Sequence, residues 1–134
     1  MAYDRHLISN GTPMEEEVGF SRAVRVGPFI SVAGTASIGA DGKTVGAGDV
    51  AAQTRQCIGI IREALEQAGS GLHDVARLRV LLTDIGQWRA VAAVCKEHFG
   101  DIRPACTIVA VSGFVNPDWL VELEADAIVE SWQG

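Results

Sequence analysis

Three acidic residues at alternate positions, Glu122, Glu124 and Asp126, and a cysteine, Cys106, set directly after a Pro-Ala step in RPACTIVAV (103–111), are the groups best spaced to do chemistry. In an extended chain alternate residues share a face, so the three carboxylates stand in line, opposite Val121, Leu123, Ala125 and Ala127. Carboxylates in line tolerate no apolar cover unless paired, and Arg22, Arg77 and Arg79, on other strand-like segments, are the candidates to pair them. Arginine-paired structural carboxylates describe Glu124 and Asp126 best. Cys106 is open to three readings: a nucleophile, a residue that touches ligand in a cleft, or an apolar filler. Nucleophilic work needs a thiolate, hence a basic neighbour or a helix N-terminus. His6 lies near the chain start, His73 in a loop and His98 at a helix end, and none is placed for that task. Cys57 and Cys95 fall on helical stripes and read as inert core thiols. Trp119, beside the turn Asn116-Pro117-Asp118, borders a cleft or covers a subunit boundary; Trp88 reads as helix core and Asp118 as turn chemistry. GADGKTVGAG (39–48) lacks the G-x-x-x-x-G-K-[ST] spacing of a phosphate loop and reads as a hairpin connection.

Such groups need elements to hold them. Arg5–Ser9 reads as a short strand stopped by the turn cluster Asn10-Gly11-Thr12-Pro13. Val18–Val26 and Phe29–Ser37 are rich in β-formers, and Gly27-Pro28 joins them as an antiparallel hairpin, with a further turn at Ala40-Asp41-Gly42-Lys43. Asp49 caps a helix whose apolar Val50, Cys57, Ile58, Ile61, Leu65 and Ala68 recur at helical spacing, and Gly69 ends it. Gly59 inside that helix costs about 1 kcal/mol relative to alanine, which suggests that another backbone passes close by. Val75–Thr83 is a strand with Leu78, Val80 and Leu82 on one face and Arg77 and Arg79 on the other. A second helix starts at Asp84, carries Ile85, Trp88, Val91, Cys95 and Phe99 along one stripe, and ends at Gly100. Ala105–Ser112 and Leu120–Ser131 are the last strands. Hairpins at each end and helices between single strands predict a mixed sheet with both helices on one face. The open face then mixes charged groups with Val24, Val26, Leu81 and Ile108, the character of a surface that meets another subunit, so an oligomer is expected.

At 134 residues and 48% hydrophobic, the chain is the size of one domain, residues 1–134. Its apolar windows fall far short of the roughly 20 residues that span a bilayer, and MAYDRHLISNGTPMEEE, mixed and then acidic, gives no support for a secretory signal. Three cysteines at spacings of 38 and 11 fit neither a disulfide framework nor a C-x-x-C knuckle, so reduced thiols in the cytoplasm are expected. A net charge of −6 leaves no basic face to neutralise phosphates, and nucleic-acid and membrane partners are not expected.

AGTA with its Asp-Gly turn, DVAAQTRQ opening a helix, VLLTDI, HFGDIRPA and the acidic VELEADA together resemble the Rid family, the reactive intermediate deaminases also called the YjgF family, from about Val18 to Val129. The resemblance implies an α+β, chorismate-mutase-like fold: a mixed six-stranded sheet with two helices packed on one face, assembled as a homotrimer with three ligand clefts between neighbouring subunits. Members with the full motif hydrolyse imines and enamines such as 2-aminoacrylate to a 2-keto acid and ammonia, with no metal or organic cofactor. The family also carries an endoribonuclease label, to which the acidic charge lends nothing. The motif is Pro-Ala-Arg-Ser/Thr, whose arginine grips the substrate carboxylate, and Cys106 stands at that arginine's position. Arg103 has the opposite strand parity, precedes Pro104 and is expected to point elsewhere. Phe20 aligns with an aromatic that carries a hydroxyl in the deaminating members, and Ala92 with a position often held by asparagine. Gly34 is kept, with its backbone amide toward the ligand; Ile108 offers its backbone; Glu122 aligns with the acid that positions the attacking water. The expectation is a hydrolase or deaminase acting on a small imine, enamine or related metabolite, with Glu122 and Cys106 as catalytic candidates and Phe20, Gly34, Ile108 and Trp119 lining the cleft. The alternatives are a non-catalytic ligand-binding or sensing trimer of the same fold and a thiol redox function at Cys106.

Overall fold

The computed structural model describes residues 4–130. Six strands form one sheet: β1 (Arg5–Ile8), β2 (Ala23–Val26), β3 (Phe29–Thr35), β4 (Val75–Leu82), β5 (Ala105–Ala110) and β6 (Val121–Ile128), in the spatial order β1-β2-β3-β6-β4-β5. Only β4 and β5 run parallel; the other neighbours are antiparallel. Two helices, α2 (Val50–Gln67) and α3 (Trp88–Phe99), cover one face, and a short α1 (Pro13–Val18) precedes β2. The core lies between that face and the two long helices. Leu78, Val80 and Leu82 of β4 and Val121 and Leu123 of β6 meet Ile58, Ile61 and Leu65 of α2 there, all at 1% exposure or less. Each such side chain contributes about 1.5–3 kcal/mol over leaving it in water.

The Asp49 carboxylate accepts from the Ala52 amide at 3.1 Å and starts α2, and Gly69, at φ 83°, follows its end. Gln53, wholly buried on α2, donates to the carbonyls of Gly46 and Asp118 and accepts from the Leu120 amide, so the helix pins the chain where it enters β6.

Several expectations give way. Val18–Val26 is not one strand: β2 begins only at Ala23, Val18 ends α1, and residues 19–22 connect the two. Pro13 is preset for a first helical turn, the Thr12 amide donates to the Glu15 carboxylate at 3.2 Å, and Gly19 at φ 86° ends the helix, which leaves Val18 68% exposed. The second helix opens as a 3-10 turn, Ile85–Gln87, under an Asp84 carboxylate that accepts from the Gly86 amide at 2.9 Å. A 3-10 turn has about three residues per turn against about 3.6, so Ile85 does not continue the α3 stripe of Val91, Val94 and Phe99, and Trp88 stands at the first position of α3, at the exposed end of that stripe. Both lie outside, and the Arg89 guanidinium stands 4.6 Å from the Trp88 ring centroid, so Trp88 is not core.

The expected closing hairpin is absent too. β6 inserts between β3 and β4, with Arg79 opposite Glu124 and Arg77 opposite Asp126, while Val111 stays with β4 by donating to the Leu82 carbonyl at 2.7 Å. Pairing β6 with β4 sets the acidic row beside the arginine row, which pairing with uncharged β5 does not. Ser131, expected to close this last strand, lies outside the described residues. Ile108, expected on the open face, registers with Val80 and packs on the helix-covered core. β5 is left as an edge whose Ala105, Cys106, Thr107, Val109 and Ala110 are exposed. Around Gly59 an added methyl group meets nothing within 4 Å, so no second backbone explains it.

Candidate functional site

β3 and β6 build the first half of the site. Their register slips between Val32 and Thr35, and such an irregularity takes residues out of the ladder, as it commonly does beside active sites. Arg22, one residue ahead of β2, takes the freed carbonyl: its Nη2 donates to the Gly34 oxygen at 2.7 Å, and its own carbonyl accepts from the Ala33 amide at 2.9 Å. Arg22 is only 5% exposed, its Nε is buried without a partner among the described residues, and its guanidinium lies 5.5 Å from the Phe20 ring centroid. Gly34 faces Glu122, and a Cβ built on it would stand 2.9 Å from Glu122 Oε1, so only glycine leaves the carboxylate its present space.

Glu122 is half-buried, on the open face of β6. Burial lifts its carboxyl above the ordinary glutamate range, the Arg22 charge pulls it back, and Glu124 adds to the rise. No ion pair within 4.0 Å holds it among the described residues, whereas Glu124 is tied to Arg79 at 3.2 Å and Asp126 accepts from the Ser31 hydroxyl at 2.9 Å. The alternation of carboxylates thus separates into two structural groups and one free one. The exposed Arg79–Glu124 pair is worth no more than about 1 kcal/mol. A groove of about 570 Å³ crosses the open face, lined by Phe20, Val24, Arg79 and Glu124 but not by Gly34 or Glu122.

Cys106 and Ile108 belong to a different surface. Registered partners in a parallel pair share a face, so Cys106 beside Leu78 and Ile108 beside Val80 both lie on the helix-covered side, toward α3. There the Cys95 thiol is pushed up to about 12, chiefly by burial and then by neighbouring Cys106. Cys106 is exposed on the edge strand, and burial raises its thiol with no basic group offsetting the rise. A thiol so placed is a weak nucleophile and a weak redox centre. Arg103, just upstream, is held at φ 57° with its amide donating to the Phe99 carbonyl at 2.8 Å; this left-handed residue turns the chain from α3 into β5. Trp119 is 8% exposed with its indole Nε1 buried and unpartnered among the described residues, and it is not an open wall of the single chain.

Within the chain, therefore, Phe20, Gly34 and Glu122 come together and Cys106 and Ile108 stand apart from them, across β4 and on the opposite face of the sheet. Arg22 is the residue that sequence reasoning undervalued, as one arginine among three facing an acidic strand. It lies just ahead of β2 and lines a groove with Gln56 and Ile60 of α2, so strand alternation does not give its face, and its burial depends on the β3 irregularity, which leaves no mark in composition. Among the described residues no three histidine, cysteine or acidic side chains converge as a metal site, and no helix is long and apolar enough to cross a membrane.

The profile of the family described as endoribonuclease L-PSP matches residues 12–129. The chain is 32% identical over 123 residues to a protein of Acinetobacter baylyi named 3-aminoacrylate deaminase RutC, covering 92% of this chain and 96% of that one. Among solved structures it superposes on Rv2704 of Mycobacterium tuberculosis, described as a member of the YjgF/YER057c/UK114 family, with a TM-score of 0.86 and 46% identity over 94% of this chain and all (100%) of the other. A Yersinia pestis protein of the conserved Rid family, YyfA, is 27% identical with a TM-score of 0.82, over 94% and 100% of the two chains.

Proposed function

The chain belongs to the endoribonuclease L-PSP family, the YjgF or Rid proteins, and from that membership we propose that it hydrolyses small imines or enamines in clefts completed between the subunits of a homotrimer. The observation that carries this reading is Glu122: a half-buried carboxylate with no ion pair among the described residues, lying against a glycine that leaves it room. Such a group takes a proton from water as the oxygen adds to the C=N carbon and gives it to nitrogen, which yields the carbinolamine; it then relays the carbinolamine hydroxyl proton to nitrogen as the C–N bond breaks, so that imine and water leave as carbonyl compound and ammonia. An enamine enters the same path once its carbon is protonated to the imine. A carboxyl group raised above the glutamate range is a better proton donor near neutrality than an exposed one.

The two separated surfaces support a cleft shared between subunits, with Phe20, Gly34 and Glu122 from one chain and Cys106 and Ile108 from the next. Two faces of one sheet cannot wall the same small pocket, whereas neighbours in a cyclic ring can present one of each. Cys106 sets the substrate class. A guanidinium gives a carboxylate a planar, charged, two-pronged grip, and a neutral thiol gives one weak donor. The difference is about 2–5 kcal/mol of binding, by analogy with truncating one partner of a buried charged pair, so the preferred substrates carry no carboxylate at that end.

Freshly generated imines, with and without a carboxylate, assayed for ammonia release test the reading. Turnover is expected for the uncharged set, Glu122→Gln should abolish it, and Cys106→Arg should move the preference toward carboxylated imines. Lack of turnover across the panel, together with thermal stabilisation of the assembly by one of these compounds, would instead mark a non-catalytic binding trimer.

A further inference from the structure

Arg22 has no part in the chemistry above, yet it is the most buried charge beside the site, at 5% exposure. Burying a guanidinium is costly unless its donors are satisfied, and a surface role would leave it in water. Its contacts are directed: Nη2 to the Gly34 carbonyl at 2.7 Å, and the guanidinium 5.5 Å from the Phe20 ring centroid. Gly34 is in turn the residue whose missing side chain leaves space for Glu122 Oε1. Arg22 and Glu122 feel each other's charge, but they are not among the ion pairs within 4.0 Å of the described residues. A carboxylate locked in a bidentate pair is spent as a base; one near a fixed positive charge but out of contact stays ionised and free to hold water.

We propose that Arg22 is a positioning residue of this site: clamped on the Gly34 carbonyl and packed against Phe20, it holds the β3 irregularity against the Glu122 carboxylate and supplies the positive charge under which Glu122 works without pairing with it. The proposal rests on the hydrolytic reading for its effect on rate, but not for its effect on Glu122. The charged and titratable groups that face this pair are few. Glu124 neighbours Glu122 on β6, Glu15 of α1 faces Arg22, Glu63 of α2 and Asp41 line a groove with Arg22, and Cys57 of α2 is close to both Arg22 and Glu122. The Cys57 thiol is raised far out of its range, chiefly by burial, so it stays neutral through the window in which a glutamate titrates.

The test is Arg22→Gln in the full-length assembled protein, read in two ways. Carboxyl-carbon NMR of Glu122 follows its titration directly and needs no turnover. Removing the charge should move the midpoint to higher pH, and an unchanged midpoint overturns the proposal. In the imine assay the acid limb of kcat/KM should move the same way, with kcat falling about 10- to 100-fold and KM little changed, the mark of lost positioning rather than lost binding. A fall in kcat with an unshifted acid limb shows a structural role only and overturns it as well. Should Arg22→Gln not fold, the parent protein carries the test: the buried Arg22 Nε–H signal should follow the Glu122 titration with the same midpoint, and a flat signal overturns the proposal. If the parent hydrolyses no imine, the proposed function fails while the Glu122 titration still decides the role of Arg22.

Discussion

Gly34 and Glu122 share a space that a methyl group cannot enter without moving the carboxylate. The atom in the way is the far end of a flexible side chain, so Gly34→Ala should fold with stability changed by no more than about 1 kcal/mol. The displaced carboxylate should nevertheless lower ammonia release about 10- to 100-fold. Melting and turnover measured on the same preparation check both halves, and full activity in the variant would remove Glu122 from the chemistry. Glu122 also makes stability depend on pH. Burial, against the pull of Arg22, raises its carboxyl, so the folded protein holds that proton more tightly than the unfolded chain does. Ionising it costs stability. The cost is absent below the unfolded glutamate pKa of about 4.3, grows as pH climbs, and is complete above the raised folded value. Glu122→Gln should thus be more stable than the parent at neutral pH, with the advantage fading as pH falls toward the unfolded value. Urea midpoints across that range would show it, and a variant that is weaker at neutral pH would contradict the argument.

The elements were legible wherever one local rule dominated. The α2 stripe from Val50 to Ala68, the Asp49 cap and the alternation in β4 and β6 each follow from a single periodicity, and all stand as expected. Misreadings came where two rules competed. Val18 and Phe20 carry β-formers' side chains, but Pro13 and the Thr12–Glu15 contact had already committed the preceding segment to a helix. Asn116-Pro117-Asp118 is sound turn chemistry, yet the turn leads away from β5, because pairing partners are chosen by the charges across the sheet and not by nearness in the chain. In the site, Glu122 was legible by alternation. Its separation from Cys106 depends on strand order, which pattern alone does not give. Gly59 was read as a mark of crowding and has open space around it. Gly59→Ala should therefore raise unfolding stability by about 0.5–1 kcal/mol through helix propensity alone, measurable by denaturant titration.

For the whole molecule, the proposed function would make catalysis a property of a trimer rather than of the chain, because the two surfaces lie apart. The consequence is open to a complementation test. Glu122→Gln damages one surface and a bulky Cys106→Trp the other, and each pure variant should be inactive. Unfolded together and refolded as a mixture, random assembly should place the intact surface of each variant against the other at about one interface in four, and activity should return to that extent. No recovery would mean that both groups serve a pocket within one chain. The margin of the sheet at β5 has a further meaning. It is uncharged and free of proline, with amides and carbonyls unclaimed along one side among the described residues, the character that recruits further copies edge to edge. Whatever neighbour caps it in the cell also guards against fibres, so substitutions that loosen the assembly should surface first as insoluble protein rather than as dissolved single chains.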